Sequence, residues 1–155
     1  MLVGIISDTH DNVPKVKRAI DLLNQRKVAA VVHCGDFEAP FVMREIVRST
    51  APVRAVFGNN DGEKAGLRKL LPDLQEPPYE FELGGSRFVV AHAFDDTLLA
   101  RDVDYVLYGH THEVLVKPGK PMLINPGECG GWLTGKPTIA ILELETALVE
   151  VVELS

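Results

Sequence analysis

The feature that most constrains this chain is a repeated pairing: an apolar run of strand length, followed at its carboxyl end by metal-ligating side chains. Leu2–Ser7 leads into Asp8-Thr9-His10, and Ala29–His33 into Cys34-Gly35-Asp36. Val53–Phe57 leads into Gly58-Asn59-Asn60-Asp61, and the run beginning at Arg87 ends on His92. Tyr105–Tyr108 leads into Gly109-His110-Thr111-His112. Four of the five histidines lie in these segments. A fold that gathers such strand ends delivers hard oxygen and imidazole ligands to one place, which is what a two-metal site needs.

The segments between the runs fit that architecture. Asn12 is placed to cap a helix with Pro14 in its first turn. Val13, Val16, Ile20 and Leu23 then recur at helical spacing against Lys15, Lys17, Arg18 and Asp21. Pro40 opens a second helix to about Val47. The first sixty residues thus read β-α-β-α-β, a parallel sheet with right-handed crossovers. After a short helix over Lys64–Leu71, the second half turns to strands. Tyr79–Leu83 and Arg87–His92 flank a Gly84-Gly85-Ser86 hairpin turn, and Val114–Val116, Met122–Ile124, Thr138–Leu144 and Leu148–Leu154 follow. No repeat or linker divides the chain, so 1–155 is expected to be one domain without a cap domain.

Composition narrows the function classes. The 155 residues are 46% hydrophobic and 25% charged, the profile of a soluble globular protein long enough for a full core. No run approaches a membrane span and the N-terminus lacks a basic leader, so a cytoplasmic setting is expected. Cys34 and Cys129 form no C-x-x-C motif and are expected to stay reduced. A net charge of −6 argues against an extended nucleic-acid surface. The small basic cluster of Lys15, Lys17, Arg18, Arg26 and Lys27 reads as a solvated helix face.

Seven side chains make up the candidate ligand set: Asp8, His10, Asp36, Asn59, His92, His110 and His112. Asp8 and His10, like His110 and His112, are two residues apart, so an extended backbone would point each pair the same way. Gly109 would permit an unusual turn ahead of the second pair. Asp36 offers two oxygens, enough to bridge two cations. Taken singly, each piece has an ordinary explanation: an Asp capping a turn, a half-buried histidine, a surface loop. Five pieces in one order, each at a strand end, favour a site.

In that order the motifs D-x-H, G-D, G-N-x-D, a separate His and G-H-x-H resemble those of the calcineurin-like metallophosphoesterase superfamily, and of its small bacterial and archaeal phosphodiesterase branch in particular. Asn125-Pro126-Gly127 resembles that branch's late N-P-G loop. The resemblance implies an α/β fold with two mixed β-sheets packed face to face and flanked by helices, a four-layer α/β/β/α sandwich. It assigns one ion to Asp8, His10, Asp36 and His112, and the other to Asp36, Asn59, His92 and His110. Two divalent ions per chain follow, Mn²⁺ first, with Ni²⁺, Co²⁺, Fe²⁺ or Zn²⁺ also suiting these ligands. The implied reaction is hydrolysis of small phosphodiesters, and more weakly phosphomonoesters, by a hydroxide bridging the metals. Counting four cationic charges against Asp8 and Asp36 leaves the site positive by about two and attractive to phosphate.

Many members of the superfamily carry a His where this chain has Asn60. Asn60 and Asp36 are the candidate catalytic positions, but an amide donates a hydrogen bond to phosphate and cannot deliver a proton at neutral pH. A missing general acid is worth about 10²–10⁴-fold and favours good leaving groups. It also supports an alternative reading, a catalytically weak scaffold resembling the retromer subunit of the superfamily; retention of every ligand position argues for the enzyme. A nuclease ranks third. Asp61 and His33 read as supporting groups, and Cys34 as a small buried hydrophobe. Trp132 reads as core or subunit packing in preference to a base-stacking surface. Glu128 replaces a usual small polar residue. Homo-oligomerisation stays open.

Overall fold

The computed structural model describes residues 1–155. One sheet has the order β10-β9-β1-β2-β3, built from Leu148–Glu153 (β10), Thr138–Glu143 (β9), Leu2–Ile6 (β1), Ala30–His33 (β2) and Val53–Ala55 (β3). Its β1, β2 and β3 are parallel, and the closing β9–β10 hairpin returns antiparallel to β1. The other sheet runs β4-β5-β6-β8-β7, from Tyr79–Leu83 (β4), Ser86–Val90 (β5), Tyr105–Leu107 (β6), Met122–Pro126 (β8) and Val114–Lys117 (β7). Here β5, β6 and β8 are parallel between antiparallel edges. The expected pair of mixed sheets is present.

Strand alternation sorts the layers. Val3 and Ile5 of β1, Val32 of β2 and Ala140 and Leu142 of β9 pack against Phe88, Val90, Tyr105, Leu107 and Ile124 of the other sheet. Ile6, Val31, Ile139 and Ile141 point the opposite way, onto helices α1 (Val13–Gln25), α2 (Pro40–Ile46) and α3 (Lys64–Leu70). Each fully buried side chain of this size contributes about 1.5–3 kcal/mol. A one-residue slip would turn every one of them to the wrong face, so the register is firmly set. Asn12 caps α1 as expected, accepting from the Lys15 N–H, and Pro14 lies in its first turn.

The fourth layer is thin. On the outer face of the second sheet, Val89, Val106 and Tyr108 are covered by a single 3₁₀ turn, Asp96–Ala100, through Leu98, together with Val103. No apolar periodicity marks so short a turn, and the sequence reading passed over it. The third strand is also shorter than its apolar run: Val56 leaves β3 to bridge Gln75. The parallel strands β1, β2, β3, β5, β6 and β8 all present their carboxyl ends to one rim of the sandwich, where crevices in such sheets form.

Candidate metal centre

The ligand loops leave that rim through left-handed backbone. Asp8, His10, Asp11, Asp36, Glu38, His110 and His112 all have φ between +41° and +81°. They make up seven of the nine non-glycine residues with positive φ. The expectation that extended backbone aligns Asp8 with His10, and His110 with His112, is therefore corrected: they converge through tight turns. Asp and His take left-handed φ more readily than most residues, but so many in one place mark loops held by their surroundings. Backbone bonds tie the loops together, including Asp8 N–H to Gly35 O (3.0 Å), His10 N–H to Asp36 O (3.2 Å) and Gly109 N–H to His92 O (2.8 Å). Gly109 is required for space, not for an unusual φ. A Cβ there would lie 2.0 Å from Ser7 Oγ and 2.5 Å from Asp8 Oδ2. At Gly58 a Cβ would lie 2.1 Å from Asp36 Oδ1.

All seven predicted residues meet at the rim. Around Asp8 Oδ1 stand His112 Nε2 at 3.2 Å and His10 Nε2 at 3.6 Å, and the two imidazole nitrogens are 3.3 Å apart. On the other side His110 Nδ1 lies 3.3 Å from His92 Nε2 and 3.2 Å from Asn59 Oδ1. Asp36 Oδ2 faces both groups, 3.5 Å from His10 Nε2 and 3.3 Å from His92 Nε2. Asp8, His10 and His112 form one triad that could hold an ion, and Asp8, Asp36 and His92 a second.

The donor set fits cations. Asp8 Oδ1 is buried with no hydrogen-bond partner, although two imidazoles stand within 3.6 Å; neither is aligned to donate to it. A buried carboxylate oxygen without a donor is costly, and a cation among these atoms would satisfy it. Two imidazole pairs facing nitrogen to nitrogen likewise need a proton or a metal between them. The Asp8 carboxylate, against burial and with help from Glu38, raises His10 to about 9. Burial alone would raise the Asp36 carboxyl, but His92 and the two N–H groups of Asn60 hold it well below the usual range. Both aspartates are thus anionic at neutral pH.

Two contributing carboxylates escaped the sequence reading. Glu38 Oε1 lies 3.2 Å from His10 Nδ1, and Glu128 Oε1 lies 3.3 Å from His112 Nδ1. Each stands behind an imidazole whose other nitrogen faces the centre. Glu38 is hydrogen-bonded to His10, the arrangement that orients histidine ligands, whereas Glu128 is close to His112 Nδ1 without a bond to it. Glu128 is fully buried and accepts from Leu133 N–H and from the N–H and O–H of Thr134. Its position straight after Asn125-Pro126-Gly127 was the available signal. Glu38 and Glu128 add negative charge behind the candidate ligands, so the positive excess of two dications would be smaller than Asp8 and Asp36 alone imply.

The supporting residues behave as their types dictate. Gly35 N–H donates to His33 Nδ1 (3.0 Å), so the proton sits on Nε2 and faces Thr9 Oγ1 at 3.1 Å. Burial lowers His33 to about 3, and its ring stacks on Phe37. Asp61 accepts from the N–H groups of Gly58, Asp36 and Glu38 and so pins three loop positions. Asn60 is turned to Asp36: its backbone N–H meets Oδ1 and its side chain meets Oδ2, both at 2.9 Å. Cys34 is buried, as expected. Trp132 is not in the core, as the sequence reading allowed. It is 64% exposed, and its Nε1–H donates to His10 O at 2.9 Å.

Comparison with known proteins agrees with this geometry. The calcineurin-like phosphoesterase superfamily domain matches residues 1–147. A phosphodiesterase of Methanocaldococcus jannaschii is 40% identical, with 94% of each chain covered. A probable metallophosphoesterase of Methanothermobacter thermautotrophicus is 29% identical over 94% of this chain and 87% of its own. The solved structure of an archaeal phosphodiesterase superposes with a TM-score of 0.92 at 38% identity, covering 99% of this chain and 100% of that one. The chain belongs to the calcineurin-like phosphoesterase superfamily.

Proposed function

We propose that this chain is a phosphodiesterase that works at a pair of divalent metal ions, with weaker action on phosphomonoesters. The observation that carries the reading is the placement of Asp36 Oδ2, within 3.5 Å of an imidazole nitrogen from each of the two ligand groups. Asp8, His10, Asp36 and His112 would hold one ion, and Asp36, Asn59, His92 and His110 the other. When bound, such ions lower the pKa of water and clamp phosphoryl oxygens. Mn²⁺ is the first choice for activation, since mixed imidazole, carboxylate and amide ligands accept several transition metals.

The protein's own groups supply orientation. Asn60 fixes both oxygens of Asp36, Glu38 fixes His10, and Glu128 places its charge behind His112. Ser7 O–H and His110 N–H donate to Asp8 Oδ2 at 2.7 and 3.0 Å, which leaves Oδ1 free for a cation. Nothing in the Asn60 side chain can protonate a departing alkoxide, so diesters with acidic leaving groups should react fastest. The hydrolysis reading is preferred to the scaffold because the Methanocaldococcus relative, 40% identical over 94% of each chain, is a phosphodiesterase.

The test is a hydrolysis screen of the Mn²⁺-loaded protein. Bis(p-nitrophenyl) phosphate should be cleaved faster than p-nitrophenyl phosphate, and a chelator should abolish both activities. Full metal loading with no hydrolysis of any ester would move the assignment to the scaffold.

A further inference from the structure

Two hollows flank the ligand cluster, and they differ in chemistry. On the His92–His110 side a cleft of about 530 Å³ mixes charged groups, Lys64, Glu76, Asp95 and Arg101, with apolar ones, Pro77, Pro78 and Leu98. On the His10–His112 side a smaller hollow of about 310 Å³ is walled by Trp132 and Leu133. Those two side chains are 64% and 80% exposed, unusual for large apolar groups beside a polar centre. The indole is not loose. Its Nε1–H is bonded to the carbonyl of His10, itself a candidate ligand, and the loop carrying it is anchored by buried Glu128 through Leu133 and Thr134. A flat, pre-oriented aromatic face therefore stands at the level of the ligand shell.

We infer that Trp132 is the stacking seat for the retained arm of an aromatic phosphodiester, an aryl or nucleobase-bearing group. The inference rests on the diesterase reading above. In-line displacement sends the leaving arm directly away from the incoming oxygen, whereas the retained arm leaves phosphorus sideways. Trp132 lines the same hollow as His10 and His112, so an arm that leaves phosphorus sideways on that side would meet its face. Stacking on an indole tolerates any ring, because every aromatic group has a π-face. The cleft opposite also carries apolar surface, but its phenyl ring, Phe57, is buried, whereas Trp132 is open.

The experiment compares bis(p-nitrophenyl) phosphate with methyl p-nitrophenyl phosphate, which share a leaving group and differ only in the retained arm. The ratio of their kcat/KM values should fall about tenfold in Trp132→Ala. Trp132→Phe, which keeps a ring, should retain most of it. A binding readout is independent of turnover, because Trp132 is the only tryptophan. Diphenyl phosphate should shift its emission saturably, and dimethyl phosphate should not. Hydrolysis with an equal ratio in wild type and Trp132→Ala would overturn the seat and leave the diesterase standing. An emission shift without hydrolysis of any ester would do the reverse. Emission that follows protein concentration and ignores diphenyl phosphate would make Trp132 a contact between copies, and would also overturn the inference.

Discussion

The two halves of the candidate metal centre face Asp36 from opposite sides but are backed differently. On one side, His10 and His112 each have a carboxylate behind the ring, Glu38 and Glu128. On the other, His92 Nδ1 faces only the backbone carbonyl of Cys34, at 2.8 Å, and the amide ligand Asn59 and His110 are exposed. Carboxylate-backed imidazoles are the better electron donors, and buried ligands lose less order on binding. The lesson is that similar ligand counts need not give equal sites. The His10 side should hold its ion firmly, and the His92 side should exchange more readily.

The largest effect should come from removing what the halves share. Asp36→Ala should reduce metal content to at most one ion per chain and slow diester hydrolysis by roughly 10²–10³-fold. Elemental analysis and bis(p-nitrophenyl) phosphate kinetics on the same preparation check this; normal values in both would deny Asp36 its bridging place. A smaller effect should distinguish the halves. Glu128→Gln should weaken the tighter of two metal affinities by about 10–100-fold and leave the weaker one nearly in place. Calorimetric titration with Mn²⁺ reads both, and weakening of the looser site alone would invert the comparison.

The same contrast shows what was legible in the sequence. The strand ends and the meeting of seven candidate ligand side chains were, because apolar runs and hard ligands leave local signals. Glu38 and Glu128 were not, since an orienting carboxylate is recognisable only when the fold sets it behind a ring. The left-handed turns at Asp8, His10, Asp36, His110 and His112 were equally hidden. None of these residues is glycine, and tertiary hydrogen bonds impose their φ values. The exposure of Trp132 on a single chain was hidden too, because aromatic usage carries no information about which rim a loop will reach.

The smallest expected effect concerns His33, which joins the Asp8 and Asp36 loops without facing the centre. Burial lowers it from 6.5 to about 3, so the folded protein keeps it neutral while the unfolded chain takes up a proton below about pH 6.5. Its contribution is therefore complete above that pH and is lost as pH falls toward 3, at up to about 1.4 kcal/mol per pH unit. His33→Asn removes this proton. Urea unfolding of metal-free protein at pH 7, 6 and 5 should show a shallower decline for the variant than for wild type. Parallel declines would mean that His33 is protonated in the folded state.

Anomalous diffraction from crystals grown with Mn²⁺ would show whether two ions flank Asp36. Two peaks are expected, about 3.5–4 Å apart on either side of it. The stronger should lie by His10 and His112, and the weaker by His92, Asn59 and His110. A single peak without contact to Asp36, or no peak at this rim at full Mn²⁺, would contradict that expectation.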